Sequence, residues 1–179
     1  MNRSFEDRQA IVDLVIQYAT GVDRRDWALY EACFTDPCEF DFSSWNGRPA
    51  ATMGAAEWAG KVRSTNGNFD ATQHLSTNHV VTFDTSDTAT CVSDVQAQHW
   101  FSAERLQRLG HAVDEPRWCT VGGYYTNSVV RTDAGWRIAR CRLTVTWVIG
   151  DRSVFDIARS LGDPAERADD FGSAMTDGG

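Results

Sequence analysis

The spacing of apolar residues changes along the chain from a helical period to the two-residue period of strands. Near the N-terminus, apolar residues recur every three or four positions, as they do on one face of a helix. Further along they alternate with polar residues over long runs, which indicates half-buried strands. The predicted helices span residues 4–20, 27–34, 55–62 and 154–161. The predicted strands span residues 39–42, 74–84, 88–101, 118–131 and 136–148.

Residues that favour the ends of elements support these limits. Gly21 is expected to end the first helix, and Asp26 is expected to cap the second. Residues 106–116 contain glycine, aspartate and proline and are predicted to form a connecting loop. Residues 132–135 predict a tight hairpin turn between the last two strands. Helices followed by long antiparallel strands form an α+β pattern.

A strongly bent mixed or antiparallel sheet wrapped over about three N-terminal helices would enclose a pocket on its concave side, where small ligands are commonly held. A chain of 179 residues predicts one main domain. We assign residues 1–150 to that domain and residues 151–179 to a C-terminal extension. The extension is expected to be partly helical at first and loose from about residue 165.

Composition and charge narrow the classes of function. The net charge is −8 and the basic residues form no run, which argues against a nucleic-acid partner. No apolar run approaches the length of a membrane span, and the N-terminus lacks the apolar segment of a signal peptide. We therefore expect a cytoplasmic protein without a membrane partner. The five cysteines are scattered without a Cys-x-x-Cys pair, so neither disulfides nor a zinc site are predicted.

The histidines are the leading candidates for chemistry. His99 shares a strand face with apolar residues, so its imidazole is expected inside, where each nitrogen needs a partner. His74 begins a strand, where a side chain can reach the mouth of a pocket. A purely structural role remains the alternative for both. His79 alternates with apolar residues and is expected to pack, whereas His111 lies in a polar segment.

Four stretches, in this order and spacing, resemble a known family. They are Tyr18-x-x-Gly-x-Asp23-x-x-Asp26-Trp27, Thr72-Gln73-His74-x-x-x-Asn78, Gly122-Gly123-Tyr124-Tyr125-Thr126-Asn127 and Asp133-Ala134-Gly135-Trp136-Arg137-Ile138. Together they are similar to the SnoaL-like branch of the nuclear transport factor two-like superfamily, over roughly residues 5–150. The resemblance implies a cone-shaped α+β fold with an enclosed pocket. The superfamily contains dehydratases, a dehydrochlorinase, isomerases and polyketide cyclases, but also non-catalytic binding and assembly modules.

The resemblance also implies roles for individual residues. His74 matches the catalytic histidine of the dehydratases, and Asp23 matches the aspartate beside it. His99 resembles a second histidine of scytalone dehydratase, and Asn127 resembles its substrate-binding asparagine. Arg131 is placed at the position of the dehydrochlorinase's catalytic arginine.

The chain departs from scytalone dehydratase at Val22 and Phe42, where that enzyme has tyrosines that help to polarise the substrate carbonyl. This difference argues against scytalone as the substrate. Phe42 is kept as a substrate-binding position. Tyr18, Tyr125 and Trp147 are expected to line the pocket as well, with the Tyr18 hydroxyl as a hydrogen-bond donor or acid.

These observations predict a lyase of the dehydratase type that needs no metal or organic cofactor. It would act on a small hydrophobic hydroxy-carbonyl compound, with His74 as base, Asp23 as its orienting partner and His99 as a second acid–base or positioning group. Dehydrohalogenation, isomerisation and polyketide cyclisation remain open, as does a non-catalytic binding or oxygenase-subunit-like module. A homodimer or homotrimer is predicted, formed through an outer sheet face expected to carry Trp118, Val121, Val129, Ile138 and Val145.

Overall fold

The computed structural model describes residues 3–165, and within that range it confirms the predicted α+β class. The helices are α1 (Arg3–Asp23), α2 (Trp27–Glu31), α3 (Ser43–Asn46), α4 (Ala55–Asn66), α5 (Ala103–Arg108) and α6 (Val154–Ser160). The strands are β1 (Phe34–Asp41), β2 (Ala51–Met53), β3 (Ala71–Phe83), β4 (Thr88–Phe101), β5 (Arg117–Thr132) and β6 (Gly135–Gly150).

The strands form one curled, unclosed sheet in the order β2-β1-β6-β5-β4-β3. Strands β3 to β6 are antiparallel neighbours, and β1 pairs with β6 in parallel, so the sheet is mixed. Helix α1 packs against β3 and β6, and α4 packs against β1 and α2. The helices therefore fill the concave side of the sheet.

Alternation along the strands decides which side chains enter the core. In β4 the residues at odd positions from Ala89 to Phe101 are buried, and those at even positions are more exposed. On β5 the odd positions Val121 and Val129 are likewise buried, and on β6 Ile138 is buried at an even position. Val145 is partly buried and packs against the core as well. The prediction that these four residues lie on the outer face was therefore wrong. The apolar residues exposed on that face are Leu75, Val80, Tyr124, Trp147 and Ile149.

A β-bulge interrupts β3, which the sequence pattern predicted as a strand over residues 74–84. The register with β4 shifts between Thr77 and Val80, and Asn78 has a φ of 53°. The bulge inserts an extra residue, which reverses the inside and outside positions along the strand. Consequently His74 and Val81 both point to the concave side although their numbers differ in parity.

Two expected element ends were wrong for identifiable reasons. Gly21 does not end α1, which runs on to Asp23. A Cβ atom at Gly21 would lie 2.9 Å from the backbone of Tyr30, so this glycine allows α1 and the following helix to approach closely. The second helix stops at Glu31 because β1 begins at Phe34 and pairs with β6.

Helix α6 of the C-terminal extension packs back onto the main domain. The Asn68 side-chain amide nitrogen lies 3.0 Å from the carbonyl oxygen of Ala158 and 2.7 Å from that of Gly162. Arg63 on α4 forms an ion pair with Asp163 at 2.7 Å. The segment up to residue 163 is thus fixed beside α4. The expected loose end beyond about residue 165 lies outside the described residues.

Candidate active site

A hydrogen-bonded pair, Asp23 and His74, lies between the end of α1 and the start of β3. The Asp23 Oδ1 atom is 2.7 Å from His74 Nδ1, and Asp23 Oδ2 accepts the backbone N–H of His74 at 2.7 Å. The His74 side chain is 8% exposed and that of Asp23 is 22% exposed. The pair is therefore held by two contacts and is largely removed from solvent.

Two further side chains hold the carboxylate in position. The Thr72 hydroxyl donates to Asp23 Oδ1 at 3.0 Å, and it accepts a hydrogen bond from Arg25 Nη1 at 2.8 Å. The same guanidinium nitrogen donates to the carbonyl of Val22 at 2.8 Å. Because Thr72 and His74 are two positions apart on one strand, both point to the same face and both reach Asp23.

These contacts keep Asp23 ionised. Burial opposes ionisation of the carboxyl group, but hydrogen bonds from the His74 side chain and backbone and from Thr72 outweigh it. The net result is that the pKa of Asp23 is lowered from its ordinary value. A carboxylate that accepts a hydrogen bond from Nδ1 fixes the tautomer in which Nε2 of His74 carries the lone pair. This nitrogen is then available as a base.

His74 faces a cavity of about 190 Å³ between the sheet and the helices. Most of the surface of its wall is apolar, which is usual for a small-molecule site, although polar and apolar residues contribute in equal number. The apolar part of the wall consists of Val22, Phe42, Trp45, Trp58, Val62, Ala97, Val121, Leu143 and Phe155. The polar part consists of Tyr18, Asn46, Lys61, Thr65, Asn66, His74, His99, Tyr125 and Arg159.

His99 lies beside His74, with the two rings 5.4 Å apart at their centroids. Its Nε2 is 3.0 Å from Asn66 Oδ1, and its ring packs on Phe155 at 4.6 Å. Burial first, and then the neighbouring His74, lower the pKa of His99 to about 3, although the Cys119 backbone partly opposes this shift. His99 is therefore neutral at neutral pH, with Nε2–H donating to Asn66.

The neutral state of His99 should make stability pH-dependent. An unfolded histidine titrates near pH 6.5, whereas the folded one titrates at about 3. As the pH falls below about 6.5, the unfolded chain gains a proton that the folded chain does not, so stability is lost towards pH 3. We expect the unfolding free energy of His99→Gln to fall less steeply, by up to about 1.4 kcal/mol per pH unit. Urea unfolding at a series of pH values measures both slopes, and parallel curves would contradict the assignment.

The structure brings Tyr18, Phe42 and Tyr125 to the same cavity as the two histidines. The hydroxyl oxygens of Tyr18 and Tyr125 are 3.1 Å apart. Burial raises the pKa of both tyrosines, so both hydroxyls keep their protons.

The other three predicted residues lie elsewhere. Asn127 is buried next to a separate space of about 10 Å³ behind Tyr18 and His74, which is roughly the room for one water molecule. Arg131 lies near the far end of β5, bound to Asp7 at 2.6 Å, six residues and roughly 20 Å along the strand from Tyr125 at the cavity wall. Trp147 lies on the outer face and is 46% exposed, because the bulge in β6 beside Gly122 turns it away from the core.

Sequence reasoning missed much of the cavity wall, including two residues at the end of α4 and two on α6. Thr65 and Asn66 fell in a predicted loop because the helix was expected to end at residue 62, although α4 continues to Asn66. A helical phase continued through residue 66 would have placed Asn66 on the cavity side, one turn beyond Val62. Phe155 and Arg159, four positions apart on α6, had the spacing of a helix face, but nothing in the sequence indicated where that face packs.

Neither a metal centre nor a membrane-spanning helix is found among the described residues. No group of three or more histidine, cysteine, aspartate or glutamate side chains in that part of the chain is arranged to hold a metal ion. None of the helices between residues 3 and 165 is long and apolar enough to cross a membrane.

The chain is similar to a known domain family and to several solved structures. The model of the SnoaL-like domain matches residues 3–142. A protein of Kribbella flavida, Kfla4162, has a similar structure with a TM-score of 0.74 and 34% identity, over 87% of this chain and 99% of its own. A proposed aromatic ring hydroxylase of Novosphingobium aromaticivorans has a TM-score of 0.68 and 28% identity, over 84% and 96%.

A proposed scytalone dehydratase of the same organism also has a TM-score of 0.68, over 84% of this chain and 91% of its own. Its identity is 21%, so this likeness concerns the fold alone.

Proposed function

Since the chain belongs to the SnoaL-like domain family of the nuclear transport factor two-like superfamily, we propose that the cavity is the active site of a cofactor-independent lyase of the dehydratase type. The observation that carries this proposal is the buried contact of 2.7 Å between Asp23 and His74 at the wall of an apolar cavity. A binding module would not need an ionised carboxylate placed behind a histidine in this way.

His74 is the proposed base. Its Nε2 removes a proton from the carbon next to a substrate carbonyl, and the electron pair of the C–H bond moves into an enolate. The imidazolium that forms is stabilised by the charge of Asp23. The enolate then expels the hydroxyl group on the next carbon, which takes the proton from His74 and leaves as water. A carbon–carbon double bond is formed and the base is regenerated.

Tyr18 and Tyr125 are the proposed donors to the substrate carbonyl. Each hydroxyl has one proton, so when one donates to the other, the second proton stays available for a ligand. A hydrogen bond to the carbonyl oxygen would stabilise the enolate as its charge develops. This pair would replace the tyrosines that scytalone dehydratase has at the positions of Val22 and Phe42.

His99 is proposed as a positioning group. A histidine with a pKa of about 3 is uncharged at neutral pH, and its remaining N–H is bound to Asn66, so it is a poor general acid. Its contacts with Asn66 and Phe155 make it a rigid neighbour of the base. A neutral ring beside His74 also avoids a second positive charge when His74 becomes protonated.

The proposal is tested by incubating the protein with a panel of aromatic and alicyclic β-hydroxy ketones and esters in D₂O. Loss of one water molecule, followed by mass spectrometry, is the expected result for dehydration. Deuterium uptake next to the carbonyl without loss of water would instead indicate isomerisation or cyclisation by the same base.

The matched control is His74→Gln, which keeps polarity but cannot act as a base. Activity that is equal in this variant would refute the assigned base. Ligand binding without water loss or deuterium uptake in the wild type would favour a non-catalytic binding module, and so would contradict the proposed function.

A further inference from the structure

The catalytic cavity opens into a wider cleft that has a different electrostatic character. The cleft encloses about 940 Å³ and shares Phe42, Trp45 and Trp58 with the inner cavity. Two cations, Lys61 and Arg159, line both spaces and therefore lie where one passes into the other. We call this position the neck.

The cleft carries more positive than negative side chains. Its cations are Arg48, Lys61, Arg152 and Arg159, and Asp156 is the acidic side chain in its wall. Asp156 pairs with Arg159, and Lys61 pairs at 2.7 Å with Glu57 on the same helix. Within residues 3–165, neither Arg48 nor Arg152 forms an ion pair. The Arg152 guanidinium instead lies 4.3 Å above the Trp45 ring at the cavity wall.

This balance is unusual for the chain as a whole. The net charge is −8, so acidic side chains outnumber cations in the chain, yet the cleft wall has four cations and Asp156, with Glu57 beside it as the partner of Lys61. Clefts lined by one sign of charge concentrate ligands of the opposite sign. The two ion pairs at the neck, Lys61 with Glu57 and Arg159 with Asp156, are exposed. Exposed ion pairs contribute little to stability, so either cation can leave its partner for a bound anion at small cost.

We propose that the cavity takes an amphiphilic anion, with its apolar carbonyl-bearing part inside and a carboxylate or phosphate group at the neck between Lys61 and Arg159. This inference rests on the proposed function only for the nature of the reacting part. The apolar wall around His74 accepts the uncharged body, and the exposed cations bind the charged group without removing it from water. Lys61 and Arg159 are therefore specificity-determining residues, whereas Asp23 and His74 perform the chemistry.

Helix α6 is essential to this arrangement. It supplies Phe155 and Arg159, and it lies beyond residues 3–142, which the family model matches. Its place beside α4 is fixed by Asn68 and by the Arg63–Asp163 pair. The two cations of the neck thus come from two helices that are tied together by contacts separate from the site.

The test compares 2-naphthoate with 2-naphthamide, which have the same rings and nearly the same shape but differ in charge. Isothermal titration calorimetry at about 0.01 M salt is expected to show that the wild type binds the anion about threefold to tenfold more tightly. The preference should nearly disappear at about 1 M salt, where the Debye length is about 3 Å. The double variant Lys61→Gln/Arg159→Gln should lose it at low salt while still binding the amide.

Arg108→Gln is the matched control, because Arg108 forms an exposed pair with Glu104 four residues away on α5, just as Lys61 does with Glu57 on α4. It should leave the preference unchanged. Equal affinity for the two ligands, an unchanged preference in the double variant, or no binding of naphthoate at millimolar concentration would each overturn the inference. The same titration with Asp23→Asn separates the two proposals, because charge-dependent binding should persist there even if the catalytic assignment fails.

Discussion

Asp23→Asn should lower turnover by about 10²–10⁴-fold, since an amide cannot stabilise the imidazolium that forms on His74. The loss of activity should exceed that expected from the lost charge alone, because the hydrogen bonds of Asp23 are disturbed as well. Both carboxylate oxygens accept hydrogen bonds from His74, one from Nδ1 and one from the backbone N–H. An asparagine has one oxygen, so its NH₂ group must face one of these two donors.

The replacement therefore either disturbs the His74 backbone or favours the wrong imidazole tautomer. We expect a loss of about 1 kcal/mol in the free energy of unfolding as well, because one donor is left without an acceptor. Circular dichroism and urea unfolding separate this small structural effect from the large catalytic one.

A matched control lies three residues along the chain. Asp26 accepts the backbone N–H of Leu29 at 2.9 Å as the cap of α2, and asparagine is an equally good cap. Asp26→Asn should therefore keep both stability and activity.

Combining the two site variants tests whether Asp23 and His74 act together. His74→Ala should be at least as damaging as Asp23→Asn, and the double variant should be hardly slower than His74→Ala alone. Independent, multiplicative losses would mean that Asp23 acts on the substrate rather than through His74. Near-full activity in both single variants would place the chemistry elsewhere in the cavity.

Gly123→Ala should destabilise the protein by about 3 kcal/mol, which corresponds to a fall of roughly 6–12 °C in melting temperature for a domain of this size. A Cβ atom at this position would lie 2.0 Å from the carbonyl oxygen of Thr144 on β6. That oxygen belongs to the backbone beside a register shift, so it cannot rotate away as a flexible side chain would. The strands would have to separate locally.

Gly60→Ala is the control with the same chemical change. Gly60 lies within α4, and a Cβ atom there would meet nothing within 4 Å. Alanine favours a helix more than glycine does, so this variant should be more stable by up to about 1 kcal/mol. Differential scanning calorimetry of both variants checks the pair, and a Gly123→Ala protein as stable as the wild type would contradict the close contact.

The parts of the fold set by local pattern were predictable. Strict alternation defined β4 at both of its ends, Thr88 and Phe101. The contact between Asp23 and His74 has no local signal, since 51 residues separate them, and it was expected from the family resemblance alone. Helix α5 was missed because six residues give too short a run to show a helical period.

The sequence could not reveal which residues share a wall when bulges change the register. Trp147 looked suited to a pocket, yet the shift opposite Gly122 and Gly123 places it on the outer face. Arg131 lies on β5, as Tyr125 does, but too far along the strand to reach the cavity. Ion pairs with Asp7 and Asp87 hold it there. Distance along a strand follows from pairing partners, which no single sequence shows.

The bulge in β3 also limits how the chain can change in length. His74 faces the cavity and Val81 faces the core only because one additional residue lies between them at the bulge. Removing a single residue between Thr77 and Val80 would keep the composition of the strand but turn one half of it to the opposite face. A single-residue insertion or deletion at this point should therefore be far more damaging than a substitution of Asn78, which leaves the register unchanged.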